Sequence, residues 1–93
     1  MKFDLAKNLC EVFDPVYCKI YDDTHAHRGH RGTSLTENTH FHVFLVSEVF
    51  NGQSLVQRHR AVNASCKDFF DQGLHALKLT VLDESQWENM NGE

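Results

Sequence analysis

The sequence predicts an α/β fold in which helices pack on a three-stranded mixed sheet, in the order α-β-β-α-β-α. Three observations predict it. Leu5, Leu9, Val12 and Phe13 repeat at helical spacing near the start of the chain. Apolar residues recur at every second position in Val16, Cys18 and Ile20, and again in Leu77, Leu79 and Val81. Between those runs, Ser54-Leu55-Val56-Gln57 has the S-x-x-Q spacing of a capping box, which opens a helix ahead of the last strand.

Each element follows in turn. The first helix is predicted over residues 4–13, because Pro15 cannot continue it. From Val16 to Asp22 the inward set alternates with Tyr17, Lys19 and Tyr21, the pattern of a strand. Residues 23–39 hold one large aliphatic side chain, Leu35, too little to pack a core, and are expected to form a long mobile loop. His40 to Ser47 is apolar on both faces after Phe41, as in a central strand buried on both sides. Asn51-Gly52 signals a turn.

The second helix then carries Leu55, His59, Val62, Cys66 and Phe69 on one stripe, with Arg58 and Arg60 pointing away from it and Gly73 as its terminator. Leu77, Leu79 and Val81 alternate with Lys78 and Thr80 in a third strand, and Asp83 to Gln86 repeats the capping spacing before a short helix around Trp87. The first two strands are expected to pair antiparallel. A right-handed crossover then lays the third parallel to its partner.

The 93 residues suit a single domain over 1–93. A net charge of −4 gives no global attraction to nucleic acid or anionic lipid. No apolar run has the length of a membrane span, and Met1-Lys2-Phe3-Asp4 is not a signal peptide. The three cysteines, Cys10, Cys18 and Cys66, lack both the even count of a disulfide framework and any C-x-x-C spacing. A reducing, intracellular setting fits them, the cytoplasm first, with the mitochondrial matrix or another organelle as alternatives. All three read as core residues, as do Phe3, Phe69 and Phe70. Gly29-His30-Arg31-Gly32 satisfies the G-x-x-G pattern of a phosphate clamp, but it falls between two strands where that clamp belongs between two helices. There is no nucleophile–base pairing and no carboxylate pair with a reason to meet, so an enzyme is not expected.

Histidine is the unusual count, seven in all, four of them at positions 25, 27, 30 and 40. The stretch H-F-H-V-F-L-V-S-E-V-F-N-G-Q-S-L-V-Q-R-H-R-A-V-N at 40–63, then H-A-L at 75–77 and Trp87-Glu88, resembles the BolA-like family. Upstream, T-H-A-H at 24–27 resembles the S-H-x-H of that family's histidine-loop branch. The resemblance implies a KH-like fold with the element order derived above. It implies partnership with a monothiol glutaredoxin of the C-G-F-S type, the pair holding or moving a [2Fe–2S] cluster. His75, in the H-A-L motif, matches the family's cluster ligand, and His27 matches the second ligand, with His25 and then His30 behind it. The resemblance also implies nucleic-acid binding and transcriptional control, as in some bacterial members.

The residues themselves say how such a cluster would be held. Neutral imidazole is a good ligand for iron, whereas thiols read as buried are poor external ligands. This chain would then supply imidazoles and no thiolate, and the remaining ligands would come from a partner cysteine and glutathione. His59 lies on the apolar stripe of the second helix and reads as a core histidine, and His40 and His42 are assigned no role. Arg58 and Arg60 are candidates for a docking surface or for phosphate contacts. The alternative function is a DNA- or RNA-binding regulator using the second helix and the basic loop, and a homodimer in the partner's absence is a further option.

Overall fold

The computed structural model describes residues 2–23 and 40–91. The first helix, α1, spans Lys2–Phe13 and buries Leu5, Leu9 and Phe13, a stripe at i, i+4, i+8. It ends where Asp14 takes the left-handed conformation at φ 44°, its N–H still donating to the Cys10 carbonyl at 3.0 Å. A short acid tolerates that conformation, and Pro15 then bars any further helical bond. Val12 falls off the stripe and is exposed, and Phe3 is 87% exposed, so neither is a core residue as the sequence suggested.

Three strands form one sheet in the order β1-β2-β3: β1 over Tyr17–Asp22, β2 over His40–Val46 and β3 over Ala76–Leu82. β1 pairs antiparallel to β2 with Ile20 opposite Val43, and β3 pairs parallel to β2 with His40 beside Ala76 and Val43 beside Leu79. The predicted topology is therefore present, a mixed three-stranded sheet with a helical connection between its second and third strands. The expected loop lies outside the described residues except for Asp23, whose N–H donates to the His40 carbonyl at 2.7 Å. Val16 precedes β1 and is exposed.

Because side chains alternate along a strand, the register sorts the sheet into two faces. Ile20, Phe41, Val43, Leu45 and Val81 are buried on one face, with Cys18, Leu77 and Leu79 packed beside them, under Leu5, Leu9, Val62, Cys66 and Leu74 from the helical layer. The other face carries Tyr17, Lys19, Tyr21, His40, His42, Phe44, Ala76, Lys78 and Thr80. β2 is thus not buried on both sides. Its His40, His42 and Phe44 are only half-buried, because among the described residues the helical layer covers one face and one short helix reaches the other.

After β2 the chain makes a 3₁₀ turn over Glu48–Phe50, which the sequence reading did not anticipate. Ser47 sets it: its buried hydroxyl donates to the Phe13 carbonyl and accepts from the Val49 N–H at 3.2 Å. The turn drops Phe50 into the core against Phe13, ring centroids 5.2 Å apart. Asn51-Gly52 then turns as expected, with Gly52 at φ 79°, a conformation glycine adopts without strain.

The helix α2 spans Leu55–Ser65 and opens with the predicted capping box. The Ser54 N–H donates to Gln57 Oε1 at 2.8 Å, and the Gln57 N–H donates to Ser54 Oγ at 3.2 Å. Its buried stripe, however, is Arg58, Val62 and Cys66. Leu55 is 59% exposed and His59 only half-buried, so the predicted stripe is displaced around the helix by one residue in its first turns. The predicted single helix also breaks at Cys66, and α3 restarts over Lys67–Asp71. Ser65 accounts for the break: its hydroxyl donates to the Val62 carbonyl at 2.8 Å, competing with the Cys66 N–H for that acceptor. Asn8 of α1 caps the interrupted end by donating to the Ser65 carbonyl at 3.0 Å.

A last helix, α4, covers Glu84–Asn91 and is opened by the second predicted cap. The Gln86 N–H donates to Asp83 Oδ1 at 2.8 Å, and Gln86 Oε1 accepts from the Asp83 N–H at 3.0 Å. Trp87 of α4 stacks on Tyr17, centroids 4.7 Å apart, and meets Phe44 edge-on at 5.9 Å. This helix therefore lies on the second face of the sheet, at the end where β1 begins. None of the helices among the described residues is long and apolar enough to cross a membrane.

Candidate functional site

His75 stands at the turn into β3, at the opposite end of the sheet from Trp87. The chain reaches it through Gly73, whose φ of 121° suits glycine alone. The Gly73 N–H donates to the Phe70 carbonyl at 3.2 Å, and the Leu74 N–H donates to the Phe69 carbonyl at 2.9 Å. Leu74 is buried. Fixed on one side by Leu74 and on the other by Ala76, which pairs with His40, His75 holds an exposed imidazole on a rigid segment.

Its neighbour is His40, the first residue of β2. The two rings meet edge to face, centroids 5.7 Å apart and planes inclined at 61°. No role for His40 is legible in the sequence, since thirty-five residues separate the two and the parallel pairing of β2 with β3 brings them together. The signal that could have found it is the strand register, which starts both strands at the same level. His42 is differently placed: its Nε2 lies 2.9 Å from Thr80 Oγ1, and its ring tilts against Tyr21 with centroids 5.7 Å apart.

His27, His25 and His30 lie outside the described residues. Among the described residues no three histidines, cysteines or acids gather into a metal-binding group. What the described residues offer a metal at this end is thus a pair of imidazoles, His40 and His75.

The cysteines confirm part of the expectation and correct the rest. Cys66 is fully buried; that burial pushes its thiol above the ordinary range, opposed by a contact with the Ser65 hydroxyl. Cys18 is half-buried and pushed up to about 11, first by burial and then by proximity to Cys10. Both stay protonated at neutral pH and make poor metal ligands. Cys10 is exposed on α1 and is not a core residue.

The arginines also divide. Arg58 does not point away from the core; it is buried, and its guanidinium makes four hydrogen bonds. Nε donates to the Gln53 carbonyl at 3.0 Å, Nη1 to the Val81 carbonyl at 3.3 Å and to Gln86 Oε1 at 2.6 Å, and Nη2 to Asp83 Oδ2 at 3.1 Å. It can therefore serve neither as a docking surface nor as a phosphate contact, because the carbonyls of a strand end and a helix cap need its donors. Arg60 is exposed on α2.

The BolA family model, described as a BolA-like protein, matches residues 9–86. The chain belongs to the BolA-like family. Similar proteins include the UV-induced protein uvi31 of Schizosaccharomyces pombe, 42% identical over 77 residues that cover 80% of this BolA-like chain and 76% of that one. The DNA-binding transcriptional regulator BolA of Vibrio cholerae is 34% identical over 89 residues, covering 96% of this chain and 80% of the relative. Among solved structures, BolA1 from Arabidopsis thaliana superposes with a TM-score of 0.81 at 35% identity, covering 92% of this chain and 94% of that one. The BolA domain of SufE1 from the same plant gives the same TM-score at 32% identity, with 90% and 92% covered. The four helices and mixed sheet described above are thus the BolA-like fold.

Proposed function

We propose that this BolA-like chain binds a [2Fe–2S] cluster jointly with a monothiol glutaredoxin of the C-G-F-S type and passes it on, without catalysing a reaction of its own. The observation that carries the reading is the pair of imidazoles at one end of the sheet, His75 exposed and His40 5.7 Å away, with no third ligand beside them among the described residues. A donor set of that kind fits half of a cluster's coordination. Histidine pairs replace two thiolates in some two-iron centres, and the other iron then needs sulfur from elsewhere. The chain's own thiols do not meet that need: Cys18 and Cys66 are held protonated, and Cys10 is on the outer side of α1. A partner cysteine and glutathione supply it in this reading. His27, on the sequence resemblance, is the alternative to His40 as the second imidazole of this centre, with His25 or His30 behind it.

The alternative, a nucleic-acid-binding regulator acting through the second helix, is favoured by the description of the V. cholerae relative as a DNA-binding regulator. On this chain it is weakened by Arg58, which is buried and makes four hydrogen bonds inside the protein. Of the helix pair, Arg60 alone remains for such a surface.

The experiment is a visible absorption and circular dichroism spectrum of the protein mixed with a C-G-F-S glutaredoxin, glutathione, iron and sulfide. Nitrogen in place of sulfur shifts the charge-transfer bands and raises the reduction potential. The mixture is expected to show bands unlike those of the glutaredoxin alone, and His75→Ala to abolish the difference. If a folded, still docked His75→Ala protein gives the wild-type spectrum, the reading is wrong.

A further inference from the structure

The second face of the sheet is divided. At the end where β1 begins, α4 lies over it through Trp87, Tyr17 and Phe44. Toward the other end, among the described residues, no helix covers it, and the row of side chains is Lys19 and Tyr21 on β1, His42 on β2, and Ala76 and Lys78 on β3. Lys19, Tyr21, Ala76 and Lys78 are all exposed. The row is ordered by its own contacts: the Lys19 ammonium sits 5.1 Å from the centre of the Tyr21 ring, Tyr21 leans on His42, and His42 is held by Thr80.

In a chain of net charge −4, this row has two lysines and, among its paired residues, no carboxylate. Of the acids nearby in sequence, Asp22 alternates to the opposite face and Glu84 and Glu88 are on α4. Asp23, by contrast, follows Tyr21 by alternation and its N–H donates to the His40 carbonyl, so one carboxylate-bearing residue stands at the end of the row against its two lysines. His40 belongs to this same face by its position in β2, so a metal between His40 and His75 would lie at the end of the row. Ala76, beside His40, leaves that approach sterically open. Lys78 is two residues along β3 from Ala76, about 7 Å at the rise of a strand, and within about one screening length of the site at physiological salt.

We infer that this uncovered half of the sheet, Lys19, Tyr21, His42, Ala76 and Lys78, is the surface on which the cluster-bearing thiol protein docks. The inference rests on the cluster-sharing reading and adds to it the face and its chemistry. A [2Fe–2S] centre held by thiolates carries net negative charge, because four thiolates outweigh the iron–sulfide core, and glutathione adds carboxylates. A cationic row ending at the two imidazoles therefore draws the donor in cluster first. The Tyr21 and His42 rings give an aromatic centre inside that row, and aromatic anchors carry docking affinity once charge has steered the encounter. α2 offers the opposite: its exposed Arg60 lies in the layer on the far side of the sheet, and its other arginine is buried.

The test titrates a cluster-loaded C-G-F-S glutaredoxin with glutathione into wild-type protein and three variants, reading affinity by calorimetry and the footprint by amide chemical shifts. Lys19→Glu with Lys78→Glu is expected to weaken binding at least tenfold and to remove most of its dependence on salt. Tyr21→Ala should weaken it about fivefold, and Arg60→Glu should leave it within twofold. All replaced residues are exposed, and circular dichroism verifies that each variant folds. At saturating partner the double-lysine variant should still show the nitrogen-ligated spectrum, so loss of docking is read separately from loss of ligation. Wild-type affinity in the lysine variant, or a footprint on α2 with loss in Arg60→Glu, would overturn the inference. So would a row that responds to a DNA oligonucleotide and not to the glutaredoxin.

Discussion

Arg58 Nη2 and Asp83 Oδ2 lie 3.1 Å apart with their side chains only 7% and 17% exposed, an ion pair that ties α2 to the start of α4. The same guanidinium holds the carbonyls of Gln53 and Val81 and the amide of Gln86, so three elements converge on one side chain. Removing it takes a donor from the buried side of the Val81 carbonyl and leaves Asp83 without its counter-charge. Arg58→Ala is expected to destabilise the fold by about 3 kcal/mol. Arg58→Lys should recover less than half of that, because a single ammonium cannot reproduce the fork. Urea midpoints of the two variants decide it; a loss under 1 kcal/mol in Arg58→Ala would show that the network is dispensable.

The seat of α4 is aromatic. Trp87 stacks on Tyr17 at 4.7 Å and meets Phe44 edge-on, and Tyr17 meets Phe44 edge-on at 5.7 Å. Half-buried rings in such a cluster are each worth area burial plus an aromatic contact term, about 2 kcal/mol together. Trp87→Ala is therefore expected to lower Tm by roughly 10 °C in a domain of this size. Hydrogen exchange should speed up across α4 while the β2 and β3 amides stay protected. Uniform acceleration would mean that α4 is not a separate unit seated on the sheet.

Most of the fold was legible because local chemistry and global packing agree. Ser54 with Gln57 and Asp83 with Gln86 form the two predicted caps with both reciprocal bonds. Ser54→Ala should accordingly cost about 1 kcal/mol, seen as a lower urea midpoint. The failures have a common physical source. Arg58 falls off the stripe that Leu55, His59 and Val62 predict, yet it answers carbonyls and a carboxylate, two of them from distant positions. His40 carries no such signal, because its neighbour His75 is set by strand register and not by spacing. The break at Cys66 carries no Gly or Pro, only the hydroxyl of Ser65 one residue earlier.

The thiols make a pH-dependent prediction. Cys18, pushed up to about 11 from 9.0, stays protonated in the folded protein at pH values where the unfolded chain has ionised. The folded state then binds more protons, so this contribution to stability is intact below pH 9 and is lost as pH rises from 9 toward 11. Cys18→Ala should flatten that part of the stability profile. At pH 7.5 a thiol reagent should modify Cys10 first, with Cys18 and Cys66 reacting only as the protein unfolds. Rapid labelling of Cys18 in the native state would contradict this.

The last prediction concerns His40, whose ring stands against that of His75. If the two imidazoles serve one centre, they cannot contribute independently. His40→Ala should shorten the lifetime of the shared cluster under a chelator challenge about tenfold and diminish the nitrogen-ligated bands. His75→Ala should abolish them, and the double variant should be no worse than His75→Ala alone, the non-additivity expected of residues acting on one site. His42 supplies the control. Its Nε2 lies in hydrogen-bonding contact with Thr80, and His42→Ala at saturating partner should keep the wild-type spectrum. His40 is half-buried on a strand whose backbone pairing does not depend on its side chain, so the variant should fold. An unchanged spectrum and lifetime in His40→Ala would show that His75 acts without it, and would assign the second imidazole to the segment that contains His27.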